Sequence, residues 1–436
     1  MDKALIVGVN ITTGTDKNKE QEHFDTCMDE MVSLVQACDM EPVGRMEQNM
    51  ESANAATYIG AGKVGEVREM VRALEADIVV FDNGLTPIQL RNLSRELDCP
   101  VMDRTTLILE IFSARARTRE ARLQVEVARL QYMLPRLVGL HDALSRQGGA
   151  SGAMSNKGAG EKKLELDRRR LEQRLTSMRR ELETIAGERE TQRKKRAASG
   201  LPRVALVGYT NAGKSTIMNA MLSAYGDGEE TKSFEKISEK KVYEADMLFA
   251  TLDTTVRRIT PSDQNAFLLS DTVGFISNLP HHLVKAFRST LEEVREADLL
   301  IQVVDYSDGN YMEHIKVTED TLQELGAAGI PMIYVFNKAD LCGMGTFATV
   351  QGDDKLYMSA KSQSGIETLM TLITGKLSER YRDCDFIIPY KRGDIVSYLN
   401  DNAVVHRTEY REDGVYMQTN VSRIDAARYE EYIVLP

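Results

Sequence analysis

The sequence predicts an α/β protein of several domains: an N-terminal βα domain, a long antiparallel helical hairpin, a P-loop domain with a mainly parallel sheet, and a small C-terminal α+β unit. Three observations predict this fold class. Short apolar runs alternate with stretches of helical spacing near the start, two long helical stripes flank a glycine-rich segment, and a later strand leads into a phosphate-loop pattern. The 436 residues also exceed the length of one ordinary domain.

Composition places the chain among ordinary globular proteins. Hydrophobic residues make up 42% and charged residues 28% of it, and no apolar run reaches the roughly 18 residues that a membrane helix needs. The first residues turn polar too early for a signal peptide. The five cysteines are scattered without a C-x-x-C pair, so neither a zinc site nor a disulfide framework is predicted. We expect a cytoplasmic, reduced protein without a membrane span.

Residues 1–112 are predicted to form the βα domain. Apolar runs at 4–9 and 77–81 are typical of buried parallel strands, and residues 22–38 and 63–75 have helical spacing. Residues 60–65 fit the dinucleotide pattern G-x-G-x-x-G, but no acidic residue is clearly placed to hold a ribose. A glycine-rich turn is therefore the favoured interpretation, and a dinucleotide site is the alternative.

Residues 113–200 are predicted to contain most of the helical hairpin. A long helix over 105–144, broken only near Pro135, has an apolar stripe, and a second helix runs from about 161 to 195. Five glycines in residues 145–160 predict a flexible connecting loop. The first stripe comprises Leu123, Val127, Leu130 and Leu134, and the second comprises Leu164, Leu171, Leu175 and Met178.

Charge separates this hairpin from the rest of the chain. Residues 113–200 hold 21 Lys and Arg against 11 Asp and Glu, a local excess of +10, whereas the whole chain carries −11. Such asymmetry indicates a basic arm on an acidic body, as in proteins that bind nucleic acid. A solvated, salt-bridged helix pair explains the charge equally well, so charge alone leaves both interpretations open.

The remaining domains are predicted at 201–381 and 382–436. The first holds the P-loop. In the second, residues 386–389 and 415–421 have strand composition, with a helix predicted over 392–400.

Four short segments predict one guanine-nucleotide site. They are 208–215 (Gly-Tyr-Thr-Asn-Ala-Gly-Lys-Ser), 271–274 (Asp-Thr-Val-Gly), 337–340 (Asn-Lys-Ala-Asp) and 359–361 (Ser-Ala-Lys). The first matches the P-loop pattern G-x-x-x-x-G-K-[ST] and follows a buried strand, the context that the pattern requires. Its backbone N–H groups, with the N-terminus of the next helix, would hold phosphates.

The first two segments would supply the groups for phosphate and metal. Lys214 would reach the β- and γ-phosphates, and the Ser215 hydroxyl would bind Mg²⁺. Asp271, at the end of a second strand, would hold the same ion through water. Gly274 can bring its N–H against a γ-phosphate because it has no side chain.

The last two segments would select the base. The Asp340 carboxylate can accept hydrogen bonds from the guanine N1–H and exocyclic amine, which adenine does not offer in that arrangement. A site built for such bonds rejects the other base by a large factor. Lys338 can lie over the purine plane, and the Ala360 N–H can donate to guanine O6.

The sequence specifies the residues for hydrolysis less fully than those that would bind the phosphates and the base. Thr251, Thr254 and Thr255 all have the chemistry to close over a γ-phosphate and complete the Mg²⁺ shell. Phe275 follows Gly274, where many GTPases place a water-orienting glutamine, and phenylalanine cannot polarise water. Asn211 motivates the hypothesis that a monovalent cation such as K⁺ helps beside the phosphates.

The chain resembles the HflX family, GTPases of the Obg–HflX branch of translation factors, over nearly its full length. The segments that carry the resemblance are 57–63, 146–149, 160–169, 249–255 and 271–276. Phe-Ala-Thr-Leu-Asp at 249–253 and Leu-Glu-x-Asp-Arg-Arg at 164–169 are the most specific. By this resemblance, Thr251 is the switch threonine on Mg²⁺.

The resemblance implies GTP hydrolysis coupled to the large ribosomal subunit and its RNA. Family members separate stalled or idle ribosomes, often under stress, and their hairpin enters the ribosome with its loop near the peptidyl-transferase centre. Residues 153–161 depart from the family pattern, being longer and carrying Lys157 in place of arginine, and residues 223–241 form an unusually long polar stretch. A role in large-subunit assembly and a slow, GTP-gated RNA adaptor are the alternatives. We expect a monomer when the protein is free.

Sequence and resemblance together define the predicted site. The residues expected to act in hydrolysis are Lys214, Thr251, Gly274 and Asn211, and the Mg²⁺ ligands are Ser215, Thr251 and Asp271. The residues expected to bind GTP and GDP are Gly208, Tyr209, Thr210, Asn211, Ala212, Gly213, Lys214, Ser215, Thr216, Phe249, Ala250, Thr251, Leu252, Asp253, Asp271, Thr272, Val273, Gly274, Asn337, Lys338, Ala339, Asp340, Ser359, Ala360 and Lys361.

Overall fold

The structure is a computed structural model, and it falls into two compact units. It describes residues 1–12, 17–147, 157–198, 201–226, 248–249, 252, 254–261, 266–277, 293–343, 348–379 and 381–434. The N-terminal unit comprises Met1–Ala186 together with two later segments, Asp246–Asp253 and Ser277–Arg288. The C-terminal unit comprises Gly187–Ala245, Thr254–Ile276 and Ser289–Pro436.

A parallel four-stranded sheet forms the centre of the N-terminal unit, as the apolar runs predict. Its order is β2-β1-β3-β4, and every pairing is parallel. The middle of β1 is buried without interruption, because helices pack on both faces of such a sheet. The elements are β1 (Asp2–Ile11), α1 (Lys17–Ala37), β2 (Met40–Met50), α2 (Ala61–Leu74), β3 (Ile78–Phe81), α3 (Pro87–Leu97) and β4 (Val101–Asp103).

The glycine pattern at 60–65 opens α2 instead of forming the predicted turn. Gly60 is the residue before the helix, and Gly62 and Gly65 lie within it. A side chain at either of these two would meet no atom within 4 Å, so neither serves a close backbone approach among the described residues. Ten residues also separate the end of β2 from α2, which differs from a dinucleotide fingerprint placed directly after a strand.

The prediction of one helix broken near Pro135 is wrong. The break lies at residues 116–118, between α4 (Arg104–Arg115) and α5 (Arg119–Gln147), and Pro135 lies inside α5. Ala116 is extended and the Thr118 hydroxyl accepts a hydrogen bond from the Ala121 N–H at 3.1 Å, which begins a new helix. Packing along the hairpin outweighs the hydrogen bond that proline removes.

The helical hairpin consists of α5 and α6 (Lys157–Ala198), with residues 148–156 outside the described part. Val127 and Leu130 of α5 bury against Leu175 of α6, as the predicted stripes require. Ion pairs cross between the helices: Arg174 lies 3.1 Å from Glu126, and Arg119 lies 2.5 Å from Glu181. Part of the basic excess is therefore paired within the hairpin.

A buried carboxylate ties α5 to the first sheet. Asp103 ends β4, has no exposed surface, and caps α4 by accepting from the Thr106 N–H at 3.0 Å. Its other oxygen accepts from Arg136 at 2.7 Å and from the Tyr132 hydroxyl, both on α5. Burial, followed by the Asp103 charge, raises the pKa of Tyr132. The hairpin is thereby held by a charged hydrogen-bond cluster as well as by apolar packing.

The C-terminal unit is built on a seven-stranded sheet in the order β10-β11-β9-β8-β5-β7-β6. Pairings are parallel except at the two edges, where β6 and β10 run antiparallel to their neighbours. The elements are β5 (Arg203–Gly208), α7 (Lys214–Tyr225), β6 (Thr255–Ile259), β7 (Phe267–Asp271), β8 (Leu299–Asp305), α8 (Tyr311–Glu324), β9 (Met332–Asn337), β10 (Thr349–Gln351), β11 (Lys355–Tyr357) and α9 (Ile366–Ser378). Residues 223–225, predicted to start a polar insert, end α7, and 227–247 lie outside the described residues.

An antiparallel sheet ends the chain and forms the predicted α+β unit. Its order is β13-β14-β12-β15, and α10 and α11 bury apolar residues against it. The elements are β12 (Tyr381–Ile388), α10 (Gly393–Asn402), β13 (Val404–Arg411), β14 (Gly414–Ser422), α11 (Arg423–Arg428) and β15 (Ile433–Val434). The predicted fold class is confirmed. No helix among the described residues is long and apolar enough to cross a membrane.

Candidate nucleotide site

The sheet topology brings the four predicted segments to one edge of the C-terminal unit. The P-loop follows β5, Asp271 ends β7, Asn337 ends β9 and Ser359 follows β11. These strands are mutually parallel, and ligands of open α/β sheets bind outside the carboxyl ends of the strands. Residues separated by about 150 positions in sequence are thus placed together by strand order alone.

The P-loop has the backbone that its glycines predict. Gly213 precedes α7 with φ +96°, and a Cβ at this position would lie 2.2 Å from the Asn337 Nδ2 atom. Both the conformation and the close approach therefore require glycine. Asn211, predicted to act beside the phosphates, is exposed and also has a positive φ, +60°. Lys214 then begins α7, so the helix N-terminus is directed to the loop.

The Lys214 ammonium is buried within this loop. Its Nζ atom donates to the carbonyl oxygens of Gly208, at 3.1 Å, and Tyr209, at 2.7 Å. Burial lowers the pKa of Lys214 to about 8, against a smaller opposing effect of the Asp271 charge. The ammonium is therefore held by backbone dipoles at the point where the sequence predicts contact with phosphate.

Ser215 and Asp271, two of the predicted metal ligands, lie together. The Ser215 hydroxyl donates to Asp271 Oδ2 at 2.7 Å, and Asp271 has no exposed surface. A hydroxyl and a carboxylate are hard oxygen donors of the kind Mg²⁺ prefers when it also binds phosphates. These two residues fit the ion, and Thr251, the third predicted ligand, lies outside the described residues.

The segment after Asp271 is joined to the P-loop through the backbone of Phe275. The Thr210 N–H donates to the Phe275 carbonyl at 2.8 Å, and the Phe275 N–H donates to the Gly208 carbonyl at 3.1 Å. A Cβ on Gly274 would lie 2.7 Å from Thr210 Cα, so only glycine permits this approach. The Phe275 ring is buried, with 3% exposure, and in this position it packs in the interior.

Asn337 connects three of the four segments. Its Nδ2 atom donates to the Ala212 carbonyl of the P-loop at 2.9 Å, and its Oδ1 atom accepts from the Ala360 N–H at 2.9 Å. The residue is 3% exposed. The sequence predicts that the Ala360 N–H donates to guanine O6, but in this structure it donates to Asn337. Asn337 thus fixes the P-loop relative to the loop at 359–361.

Asp340, the residue predicted to select the base, stands on a short 3-10 helix, Ala339–Cys342, which Lys338 directly precedes. Asp340 is exposed there, free to meet a ligand, while Ala339 is buried. Lys338 has φ +62°, and its ammonium lies 2.7 Å from Asp305 at the end of β8. This pair fixes the Lys338 ammonium at the carboxyl end of β8. Ser359 is buried and Lys361 is exposed in the neighbouring loop.

The predicted switch segment is only partly described and belongs to the N-terminal unit. Phe249 and Leu252 fall in that unit and are both 2% exposed, while Ala250, Thr251 and Asp253 lie outside the described residues. Phe249 has φ +56°, a conformation that costs a bulky residue of order 1–3 kcal/mol and persists only when its surroundings impose it.

The other two threonine candidates lie elsewhere. Thr254 precedes β6 and Thr255 begins it, paired in register with Asp271. As a sheet residue, Thr255 is a poor candidate for a segment that must move. The remaining predicted residues, Thr216, Thr272 and Val273, lie in α7 and directly after β7.

Two residues near the site were missed by the sequence analysis. His314 of α8 stacks on the Tyr209 ring, with centroids 3.8 Å apart and planes at 10°, and Asp305 pairs with Lys338. Asp305 has a signal, since it is a carboxylate at the carboxyl end of a buried strand. His314 has none, because its partner lies about 100 positions earlier and only the fold brings them together.

Family models match the chain in four consecutive stretches. They are described as GTP-binding GTPase N-terminal at residues 25–113, GTP-binding GTPase Middle Region at 115–196, 50S ribosome-binding GTPase at 203–338 and HflX C-terminal domain at 348–433. These stretches together cover most of the chain.

Individual proteins match over almost the same length. A protein named GTPase HflX from Caldanaerobacter subterraneus subsp. tengcongensis is 39% identical over 408 residues, 93% of this chain and 90% of that protein. GTPase HflX of Escherichia coli K12 is 37% identical over 434 residues, 98% of this chain and 95% of that protein. A crystal structure of a GTP-binding protein from Sulfolobus solfataricus with GDP is 22% identical, with a TM-score of 0.42, and covers 87% of this chain and 99% of that one. The predicted resemblance is confirmed: the chain belongs to the HflX family of GTPases.

Proposed function

We propose that this protein binds GTP and hydrolyses it to GDP and phosphate on the large ribosomal subunit. In this proposal the cycle splits or recycles ribosomes under stress, and hydrolysis resets the factor. The observation that carries it is that one chain contains both a basic helical hairpin and the nucleotide edge, which is the edge of the seven-stranded sheet where the four predicted segments meet. The family model described as a 50S ribosome-binding GTPase, matched at residues 203–338, supports the same partner.

Each part of the nucleotide edge has a task in this cycle. The P-loop amides and Lys214 bind the phosphates, and Asp340 selects guanine because it can accept from the base edge. Ser215 and Asp271 would hold Mg²⁺, which neutralises phosphate charge when bound. Asn337 holds the P-loop next to the loop at 359–361, the base loop, through its hydrogen bonds to Ala212 and Ala360.

The hairpin supplies the charge for contact with ribosomal RNA. Several arginines of α6 are exposed, and one of them, Arg174, also pairs with Glu126 of α5 across the hairpin. Neutralising RNA phosphates with such side chains releases counterions, so binding should weaken as salt increases. The exposed members in the described part of α6 are Arg169, Arg170, Arg174, Arg179 and Arg180.

Hydrolysis by the free protein is expected to be slow. Phe275 is buried and apolar, so it cannot orient water, and unassisted GTPases of known type turn over at roughly 10⁻⁴ s⁻¹. Stimulation by the ribosomal partner would complete the site. We further propose that Asn211, exposed in the P-loop, helps to bind K⁺ beside the phosphates. Equal turnover in potassium and sodium would remove this part of the proposal.

The proposal is tested by turnover and sedimentation. GTP hydrolysis should rise when purified large subunits are added, and the protein should migrate with those subunits when loaded with a non-hydrolysable GTP analogue. Intact ribosomes should separate into subunits in the presence of GTP. A variant with a shortened loop at 147–160 should retain its free GTPase activity but lose splitting.

Three results would count against it. Unstimulated turnover together with intact ribosomes in gradients would refute the ribosomal role. Splitting that survives the shortened loop would refute the role of the hairpin. Binding to immature particles in preference to mature subunits would favour a function in large-subunit assembly.

A further inference from the structure

The ring of Tyr209, the second residue of the P-loop, stacks on the imidazole of His314 in α8. The two ring centroids lie 3.8 Å apart, and the planes make an angle of 10°. Tyr209 is 7% exposed and His314 is 8% exposed, so the stack is a buried contact. Both residues belong to the C-terminal unit. The contact therefore joins the P-loop to a helix that lies outside the four predicted nucleotide segments.

The backbone around His314 is fixed by the sheet as well as by its own helix. The His314 N–H donates to the Asn310 carbonyl at 3.2 Å, and the His314 carbonyl accepts from the Thr318 hydroxyl at 2.8 Å. Gln302 of β8, which is 1% exposed, donates through Nε2 to the carbonyl of Ile315 at 3.2 Å. Because Ile315 is the next residue, this hydrogen bond fixes the imidazole relative to the central strands.

On the other side of the stack, the backbone of Tyr209 supports the P-loop. Its carbonyl accepts from the Lys214 ammonium at 2.7 Å. The residues before and after it, Gly208 and Thr210, form backbone hydrogen bonds with Phe275. The place of the Lys214 ammonium therefore depends on how Tyr209 is held, and the stack with His314 holds its side chain.

The P-loop supported in this way has a geometry that binds phosphate. Asn211 and Gly213 have positive φ values, +60° and +96°. Left-handed residues in a tight loop turn backbone N–H groups towards one concavity, which is a site for anions. Lys214 uses two of its three N–H donors on the carbonyls of Gly208 and Tyr209, which leaves the third for a phosphate oxygen.

We infer that His314 is a positioning residue for the nucleotide phosphates: its ring holds Tyr209 and, through Tyr209, keeps the P-loop and Lys214 in the conformation that binds the β-phosphate. This inference rests on the proposed function. A loop already held in its binding conformation loses less conformational freedom when the ligand binds. The base and the ribose do not depend on this loop, so the benefit is confined to the phosphates.

The test compares the affinities for GDP and GMP in the full chain with Mg²⁺, by displacement of a fluorescent GDP. GMP keeps the base and the ribose but lacks the β-phosphate that Lys214 is predicted to meet. In His314→Ala, the ratio of GDP affinity to GMP affinity should fall about fivefold, the size expected for a buried aromatic pair. His314→Phe keeps a ring and loses the 3.9 Å contact with Asp308, and its ratio should stay within twofold of wild type.

A control on the same helix separates positioning from stability. Leu322 is fully buried two turns further along α8, roughly 12 Å from His314 along the helix axis. Leu322→Val should lower the Tm and leave the ratio as in wild type. Tyr209→Leu removes the same stack from the side of the P-loop, so its ratio should fall as in His314→Ala. It decides the test if His314→Ala does not fold.

Three results would overturn the inference alone. The first is a ratio that is raised or within twofold of wild type in folded His314→Ala, or in Tyr209→Leu where that variant decides. The second is an equal fall in His314→Phe, since the ring would then not be what holds the loop. The third is an equal fall in Leu322→Val, which would make the effect a general loss of stability. A wild-type protein that binds neither GDP nor GTP would overturn the proposed function, and the inference with it.

Discussion

Asn337→Asp is the substitution that most directly tests whether the P-loop and the base loop form one site. Asn337 Nδ2 donates to the Ala212 carbonyl and Oδ1 accepts from the Ala360 N–H, both at 2.9 Å. Aspartate has the same shape and can still accept from Ala360. It cannot donate to Ala212, so two oxygens would face each other in a buried position.

The magnitude follows from that lost bond. A buried carbonyl left without its donor costs about 1–3 kcal/mol. Without nucleotide the two loops can move apart and relieve this cost, but nucleotide binding requires both in position. The penalty therefore falls on binding, and the Kd for GDP should rise by roughly 5- to 150-fold, since 1.4 kcal/mol corresponds to a factor of ten.

The assay has a control with the same chemistry. Asn83 accepts from the Val9 N–H at 3.0 Å and donates to the Val9 carbonyl at 3.3 Å, in the N-terminal unit. Asn83→Asp should lower thermal stability but leave GDP affinity as in wild type, measured by titration with a fluorescent GDP. A folded Asn337→Asp protein whose Kd stays within twofold of wild type would refute the reasoning. Equal weakening by Asn83→Asp would do so as well.

Three further predictions concern the same edge. Asp340→Asn should raise the Kd for GTP and abolish the preference over ATP in competition binding, because the exposed carboxylate no longer accepts from the guanine edge; preserved preference would contradict the assignment. Ser215→Ala should remove the dependence of nucleotide affinity on Mg²⁺, shown by equal Kd values with magnesium and with a chelator. Burial lowers the pKa of Lys214 to about 8, so its charge and the affinity for GDP should fall as pH rises through 8. Proton uptake on GDP binding, measured calorimetrically in two buffers, should rise towards about half a proton at pH 8 and be absent in Lys214→Met.

Local patterns were sufficient to predict the elements that carry the nucleotide. The strand before Gly208, the glycine loop and the helix from Lys214 are each specified by residues within a few positions of one another. The parallel order of the strands then follows from the alternation of apolar runs and helical spacings. For the same reason the N-terminal sheet was predicted from its first and third strands alone.

Features that depend on distant partners were beyond sequence reasoning. The helix break at 116–118 depends on an extended Ala116 and a capping Thr118. Pro135, the conventional helix breaker, is exposed within α5, and the helix continues through it because Leu134 packs in the hairpin and Arg136 is held by Asp103. The role of Asn337 as a bridge required knowing that Ala212 and Ala360 approach it. The Asp103 cluster combines side chains from α5 with the end of β4. The spacing of apolar residues along the sequence does not predict such a polar contact.

The residues predicted to bind the nucleotide are divided between the two compact units. The groups that would hold phosphates and base, from Lys214 to Ala360, lie in the C-terminal unit, whereas Phe249 and Ser277 cluster with the N-terminal unit. Asp103, adjacent to Arg104, caps α4 and binds Arg136 of the hairpin helix α5. Asp103 therefore couples the position of the hairpin helix α5 to that of α4 within the N-terminal unit.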